Sequence, residues 1–122
     1  MSTCSIVSIH AALTPKSTGM IGRRELEMLP KGAVFINTAR GAHVCEHALV
    51  DALKKGEIAG AAMDVYEHEP QITPELLELD NVVLSPHTGT GTWEGRIAMC
   101  ENVCDNILAW EKQDFNKMNI VL

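Results

Sequence analysis

Gly32-Ala-Val-Phe-Ile-Asn-Thr-Ala-Arg-Gly41 is the stretch that decides the fold. Residues 33–36 are apolar at every position, which is typical of a parallel strand covered by helices on both faces. Asn37 and Gly41 favour a turn that exposes backbone donors. The pattern predicts a buried strand that delivers Arg40 to a site, although it also fits a core strand followed by a solvated arginine.

Strand and helix patterns alternate on both sides of this stretch. Three more short apolar runs predict strands at residues 5–9, 58–65 (ending at Asp64) and 82–85. Helical composition predicts a helix over 23–29, halted by Pro30. A second, amphipathic helix from 44 to a stop at Gly56 is predicted by apolar residues at helical spacing, which are Val44, Ala48, Leu49, Ala52 and Leu53. This alternation predicts an α/β fold, a parallel sheet with flanking helices and right-handed crossovers.

The C-terminal part of the chain predicts two further helices. Thr73, followed by proline and glutamate, has the composition of an N-cap that opens a short helix. A long helix is expected from about Thr92, with Trp93 and Trp110 left partly bare. Its buried face and its end are mapped by Trp93, Ile97, Cys100, Cys104, Ile107, Leu108 and Glu111.

Composition excludes several classes of protein. The 122 residues are the length of one domain, and the 46% hydrophobic content is that of a globular protein. The net charge of −6, without a basic stripe, argues against nucleic acid as a partner. No apolar run reaches membrane-spanning length and no signal peptide is evident, so we expect no membrane partner and a cytoplasmic location. The four cysteines, without a Cys-x-x-Cys pair, predict reduced packing residues.

Chemically active side chains follow each predicted strand. Ligands of parallel α/β sheets bind outside the carboxyl ends of the strands, where these side chains would converge. The strand exits carry His10 after the first strand, Thr38-Ala39-Arg40 after the second, Asp64 and Glu69 after the third, and Pro86-His87-Thr88-Gly89 after the fourth.

This set of groups suits the interconversion of a 2-oxo acid and a 2-hydroxy acid. Arg40 can hold a substrate carboxylate through two parallel hydrogen bonds. His87 can donate or accept a proton at a carbonyl or hydroxyl, and Glu69 can fix its tautomer. A nicotinamide cofactor would carry the hydride.

Three runs of sequence resemble the D-isomer-specific 2-hydroxyacid dehydrogenases. They are residues 36–41 (Ile-Asn-Thr-Ala-Arg-Gly), 58–70 (Ile-Ala-Gly-Ala-Ala-Met-Asp-Val-Tyr-Glu-His-Glu-Pro) and 83–89 (Val-Leu-Ser-Pro-His-Thr-Gly). The tail, including Glu-Pro-Gln-Ile-Thr-Pro-Glu-Leu-Leu, resembles the fungal glyoxylate or hydroxypyruvate reductase branch. The resemblance implies that residues 1–122 are the second half of a doubly wound, Rossmann-like NAD(P)-binding domain, ending in a long helix and tail.

The resemblance also implies residue roles. Arg40 would be the substrate-binding arginine, His87 the acid/base and Glu69 its partner, while Asp64 would bind the nicotinamide carboxamide. The cofactor would be NAD or NADP, and the substrate a small 2-oxo acid. The implied cofactor-binding residues are His10, Ala11, Ala12, Thr38, Ala39, Arg40, Asp64, His87 and Gly89. The proline usual in the family at the Ala12 position is missing.

Other parts of the family pattern lie outside this sequence. The Gly-x-Gly-x-x-Gly turn, the residue that reads the adenosine ribose and the substrate domain all precede it in the family. Gly89-Thr-Gly91 opens a helix but has Glu94 at the third glycine position, so it is not that turn. If these residues are the whole protein, we expect weak or no turnover.

Two alternatives stay open. His43-Val-Cys-Glu46-His47 matches the His-x-x-Glu-His pattern of inverted zinc metallopeptidases, although no third ligand is evident and our interpretation includes no metal site. The other alternative is a truncated, non-catalytic module that acts through association with a complete homologous chain or with itself as a homo-oligomer. A missing half-sheet, with its bare strand edge and apolar faces, would favour such pairing.

Overall fold

A computed structural model of the chain describes residues 1–119. It divides into two compact units, of which the first is Met1–His87 and the second begins at Thr88. The first unit contains a sheet with its helices, and the second contains a long helix.

The sheet of the first unit has four parallel strands in the order β1-β2-β3-β4. They are β1 (Ile6–Ile9), β2 (Val34–Asn37), β3 (Gly60–Met63) and β4 (Val82–Leu84). Pairing runs from Ile9 to Asn37, from Asn37 to Met63 and from Met63 to Leu84, so the last residues of all four strands are level. This register confirms the predicted parallel sheet and brings the four strand exits to one edge.

Two α-helices of the first unit pack against each other. They are α1 (Arg23–Glu27) and α2 (Glu46–Lys54), and α2 ends next to Gly56, whose φ of +65° is the left-handed conformation that favours glycine. The short helix predicted after Thr73 is a 3₁₀ helix, Pro74–Glu78. The side chain of Thr73 does not cap it, because its hydroxyl donates instead to the carboxylate of Glu46.

The core of the first unit lies around β2 and α2. Its largest fully buried apolar side chains contribute about 1.5–3 kcal/mol each through removal from water. They are Leu26, Phe35, Leu49, Ile58, Met63 and Leu76. Because Phe35 and Ile58 belong to predicted strands and Leu49 to the predicted helix face, the periodicity had identified much of this core.

The second unit contains α3 (Trp93–Glu111) and a 3₁₀ helix, Phe115–Lys117. The Thr92 hydroxyl accepts a hydrogen bond from the Gly95 N–H at 3.0 Å, which confirms the expected start of the helix. Trp93 and Trp110 are 78% and 65% exposed, as expected, but the rest of the predicted buried face is wrong, since Ile107 is 61% and Leu108 48% exposed. The few described elements of this unit offer too little surface to cover a helix of 19 residues.

The four cysteines are free, as expected, but the predicted packing role is wrong because all four are exposed. Cys100 and Cys104 lie on the poorly covered α3, and Cys45 directly precedes α2. Between residues 1 and 119, no helix has both the length and the apolar character that crossing a membrane requires.

Candidate active site

The turn that follows β2 is held by the side chain of Asn37. This residue is fully buried, its Oδ1 accepts from the Ala39 N–H at 3.1 Å and its Nδ2 donates to the Arg40 carbonyl at 2.9 Å. Both bonds therefore hold the turn of residues 38–40, which directly follows the strand. Asn37 therefore fixes the backbone from which the exposed Arg40 side chain projects.

Gly41 brings this turn into direct contact with the exit of β3. A Cβ at this position would lie 1.9 Å from the carbonyl carbon and oxygen of Tyr66 and 2.5 Å from the Glu67 nitrogen. No side chain fits there, so close backbone approach is the reason for glycine. This contact joins the segment carrying Arg40 to the segment carrying Glu69.

His87 and Glu69 form a hydrogen-bonded pair across two strand exits. The His87 Nδ1 lies 2.8 Å from the Glu69 Oε2, and the two side chains are 48% and 36% exposed. The backbone of His87 has a φ of +53°, a conformation that costs a residue with a Cβ about 1–2 kcal/mol. Such backbone strain is concentrated at functional sites.

The carboxylate of Glu69 is held in its charged form. The hydrogen bond from His87 has the largest effect and, with a second bond from the Tyr66 N–H at 3.0 Å, lowers the pKa of Glu69 below its usual 4.5. The guanidinium of Arg40 lowers the pKa further through its charge. Arg40, Glu69 and His87 therefore share one electrostatic environment.

Tyr66 connects both members of the pair. Its N–H binds Glu69, and its hydroxyl donates to the Ser85 carbonyl at 2.8 Å, two residues before His87. Burial has the largest effect on the pKa of Tyr66 and raises it above 10, and the carboxylate of Asp64 raises it further. Sequence reasoning missed Tyr66, because an aromatic residue after a strand also fits ordinary core.

Asp64 lies at the end of β3, as predicted, and is buried. Its Oδ1 accepts a hydrogen bond from the Ser85 hydroxyl at 2.6 Å. Its N–H donates to the Asn37 carbonyl at 3.0 Å. The residue is thus fixed between β2 and β4, at the edge where the strands end.

Two cavities open at this edge. The larger has a volume of about 530 Å³ and is lined by His10, Ala11, Ala12, Leu13, Thr38, Ala39 and Arg40. The smaller, of about 140 Å³, is lined by Tyr66, Glu69, Pro70, Ile72, Pro86 and His87. Six of the nine residues that the sequence implicates in cofactor binding line the larger cavity, and His87 lines the smaller. Gly89 belongs to the second unit.

The residues of the zinc motif, His43, Glu46 and His47, each have different surroundings. Both ring nitrogens of the buried His43 lie 3.0 Å from carbonyl oxygens, and His47 is exposed. The Glu46 carboxylate accepts from the Glu67 N–H at 2.7 Å and from the Thr73 hydroxyl. Within residues 1–119 no three His, Cys, Asp or Glu side chains form a group that could hold a metal ion.

Parallel strands with level ends, flanked by helices and with polar side chains at the exit edge, define a Rossmann-like α/β domain. The family comparison is more specific. Residues 1–89 match the family model described as "D-isomer specific 2-hydroxyacid dehydrogenase, NAD binding domain". The chain belongs to this family.

Individual relatives agree with this assignment. The glyoxylate reductase of Thermococcus litoralis is 48% identical over 106 residues, which are 87% of this chain and 32% of that protein. The NADPH-dependent glyoxylate/hydroxypyruvate reductase from Sinorhizobium meliloti, solved with NADP and malonate, is 37% identical with a TM-score of 0.86 over 89% of this chain and 34% of its own. A glyoxylate reductase from Paecilomyes thermophila is 41% identical with a TM-score of 0.83, covering 86% of this chain and 32% of its own.

The chain spans about a third of the length of the curated relatives it matches. The matched third includes the strand exits described above.

Proposed function

We propose that this chain supplies the catalytic groups for NAD(P)-dependent reduction of a small 2-oxo acid to the D-2-hydroxy acid, as part of an NAD(P)-binding domain spanning residues 1–122. The observation that carries the proposal is the 2.8 Å hydrogen bond between His87 and Glu69 at the common strand edge. Glyoxylate and hydroxypyruvate are the proposed substrates, because the relatives from Thermococcus litoralis and Sinorhizobium meliloti are named for them.

His87 is the proposed proton donor. Its Nδ1 is occupied by Glu69, which leaves Nε2 as the ring nitrogen for the substrate oxygen. The negative charge of Glu69 stabilises the imidazolium, and its hydrogen bond fixes the ring orientation. In reduction, Nε2 gives its proton to the 2-oxo oxygen, which becomes the hydroxyl of the product.

Arg40 is the proposed anchor for the substrate carboxylate. Its guanidinium is exposed at the same edge, and its Nη1 donates to the Ala39 carbonyl at 2.7 Å, so other donors of the planar group stay available. A carboxylate bound there directs the adjacent 2-oxo group toward His87 and the nicotinamide. The positive charge also stabilises the negative charge that develops on the substrate oxygen.

The cavity of about 530 Å³ fits the nicotinamide side of a dinucleotide. It is open, it lies beyond the ends of β1 and β2, and the residues implicated in cofactor binding form its walls. Thr38 and Ala39 offer small side chains and Arg40 a cation near a bound phosphate or carboxylate. When bound, the nicotinamide supplies the hydride that reaches the 2-oxo carbon.

The test is a binding experiment that does not need turnover. We expect NADH or NADPH, added to the 15N-labelled chain, to shift the amide signals of residues 10–13 and 38–40. Oxamate, a non-reducible analogue of the substrate, should then shift Arg40, Glu69 and His87. The variant Arg40→Gln should lose the oxamate response, while the exposed His68→Gln should keep it. Shifts confined to other regions, or none, would overturn the proposal.

A second candidate function is self-association through α3. Its support is the exposure of large apolar side chains along one helix of the second unit, including Trp93, Val103 and Ile107. A second copy of the chain presents the same apolar surface and can bury it reciprocally. Light scattering after size exclusion should show a dimer that Ile107→Lys disperses, and a wild-type monomer at high concentration would exclude it.

A further inference from the structure

His43 is a buried histidine that the proposed reaction does not use. Its side chain is fully buried in the first unit, where its Nδ1 lies 3.0 Å from the Ser17 carbonyl and its Nε2 lies 3.0 Å from the Ala11 carbonyl. Carbonyl oxygens only accept hydrogen bonds and a neutral imidazole carries one N–H, so the neutral ring donates to one of the two carbonyls. With that proton on Nε2, the ring donates to the Ala11 carbonyl. One imidazole thus reaches two points of the segment that follows β1.

His43 lies next to one wall of the larger cavity and contacts the other. The larger cavity has two walls, residues 10–13 and residues 38–40, and His43 ends the 3₁₀ helix Gly41–His43 directly after the second wall. Its Nε2 holds Ala11, which belongs to the first wall. The ring therefore links the two walls.

Backbone contacts fix the far end of the same segment. The Gly19 N–H donates to the Ala42 carbonyl at 2.8 Å, and the Ile21 N–H donates to the His43 carbonyl at 2.9 Å. Between Ile9, where the β-ladder ends, and Gly19, the chain forms an irregular segment followed by a turn. Within this intervening loop, hydrogen bonds join Thr14 to Ser17 and Thr18. The His43 ring adds contacts from outside the loop, to the carbonyls of Ala11 and Ser17.

We propose that His43 is a positioning residue that sets the separation of the two cavity walls. An apolar side chain of similar size would fill its volume but donate no hydrogen bond. The Ala11 and Ser17 carbonyls would then lose the ring as a hydrogen-bond partner, and the 10–13 wall would open. Its consequence for cofactor binding rests on the proposed function, whereas its effect on the loop does not.

Three variants separate the two contacts. His43→Leu removes both, His43→Asn places an amide donor near the Nδ1 position toward Ser17, and His43→Gln places one near the Nε2 position toward Ala11. We expect His43→Leu to accelerate hydrogen exchange of the Thr14, Ser17 and Thr18 amides at least tenfold. It should weaken NADH or NADPH binding, measured by calorimetry, by about tenfold, the equivalent of one lost hydrogen bond.

The amide variants give the result that packing alone cannot. Because Ala11 belongs to the cavity wall, His43→Gln should restore cofactor affinity and His43→Asn should not. In 15N-histidine spectra, the ring proton of wild-type His43 should exchange slowly, whereas that of the exposed His47 should exchange fast. The variant His47→Leu is the control for the loss of a histidine side chain elsewhere in the unit. Equal exchange in wild type and His43→Leu, or equal affinity of the Gln and Asn variants, would overturn the proposal.

The two proposals fail differently. If wild type binds neither NADH nor NADPH, the proposed function loses its support and hydrogen exchange decides the role of His43. If His43→Leu does not fold, the comparison between the Asn and Gln variants decides it. A ring proton at His43 that exchanges as fast as that of His47 would count against the contact itself.

Discussion

The Nδ1 atom of His87 lies 2.8 Å from the Oε2 atom of Glu69, although the two residues are 18 positions apart in the sequence. The level ends of β3 and β4 bring them together. Glu69 is further held by the Tyr66 N–H, and the Tyr66 hydroxyl binds the chain just before His87. The pair is thus built into the sheet edge rather than formed by two free side chains.

The first prediction concerns proton transfer. Whatever rate of NADH or NADPH oxidation the chain shows with glyoxylate or hydroxypyruvate, His87→Asn should lower it by about 10²- to 10⁴-fold, since a positioned acid contributes that much. Glu69→Gln should lower it less, because the amide still accepts a hydrogen bond but carries no charge. His68→Gln, an exposed neighbour, is the matched control. Full activity in His87→Asn would exclude histidine as the proton donor.

The second prediction concerns stability at low pH. Because folding lowers the pKa of Glu69, its charged form stabilises the folded state at neutral pH. That contribution declines as the pH falls below about 4.5 and through the lowered pKa, where the carboxyl becomes protonated in both states. It is less than about 1 kcal/mol, since the pair is exposed.

Urea titrations of wild type and Glu69→Gln, repeated between neutral pH and the acid limit of folding, check this prediction. The difference in free energy of unfolding should shrink as the pH drops below the ordinary glutamate range. A difference that stays constant would show that the charge of Glu69 does not stabilise the fold. The exposed Glu78→Gln gives the baseline.

The third prediction concerns Gly41. In Gly41→Ala the new methyl group would lie 1.9 Å from the Tyr66 carbonyl, so the backbone of one segment must move. We expect a loss of about 1–3 kcal/mol in the free energy of unfolding, typical of forced overpacking. Gly22→Ala is the matched control, because its Cβ would have a nearest neighbour at 3.5 Å. Similar losses in both variants would argue against the close contact.

The fourth prediction uses Tyr66, the one tyrosine of the sequence. Burial and the neighbouring carboxylates raise its pKa above 10. An ultraviolet absorbance titration should therefore show ionisation later than for free tyrosine. Because the unfolded chain ionises first, stability should fall as the pH rises above about 10. A signal that titrates at the ordinary value, without loss of structure, would contradict the burial of the ring.

Much of this fold was predictable because its signals are local. The apolar run at 33–36 and the helical spacing from Ala48 to Leu53 produced β2 and α2 at nearly the observed positions. For α3 the same reasoning was correct about the helix and wrong about its buried face. Periodicity identifies apolar positions, but it contains no information on whether a partner surface exists.

The candidate site likewise has a part that the sequence predicts and a part that it does not. Arg40, Glu69 and His87 were found from the sequence because each follows a strand whose end could be predicted. Gly41 was assigned a turn, whereas the structure shows contact with Tyr66. Thr73 was assigned a helix cap, whereas its hydroxyl binds Glu46. Both differences are contacts between segments more than 20 positions apart.

The sequence by itself determined the parallel strands, the order of the chemical groups along the chain and the family to which they point. Only the tertiary structure decided that Glu69 binds the Nδ1 of His87, that Gly41 touches Tyr66 and that His43 reaches Ala11. The reason is physical: backbone periodicity depends on neighbours along the chain, whereas the partner of a buried donor or acceptor depends on which distant segment folding brings within hydrogen-bond distance.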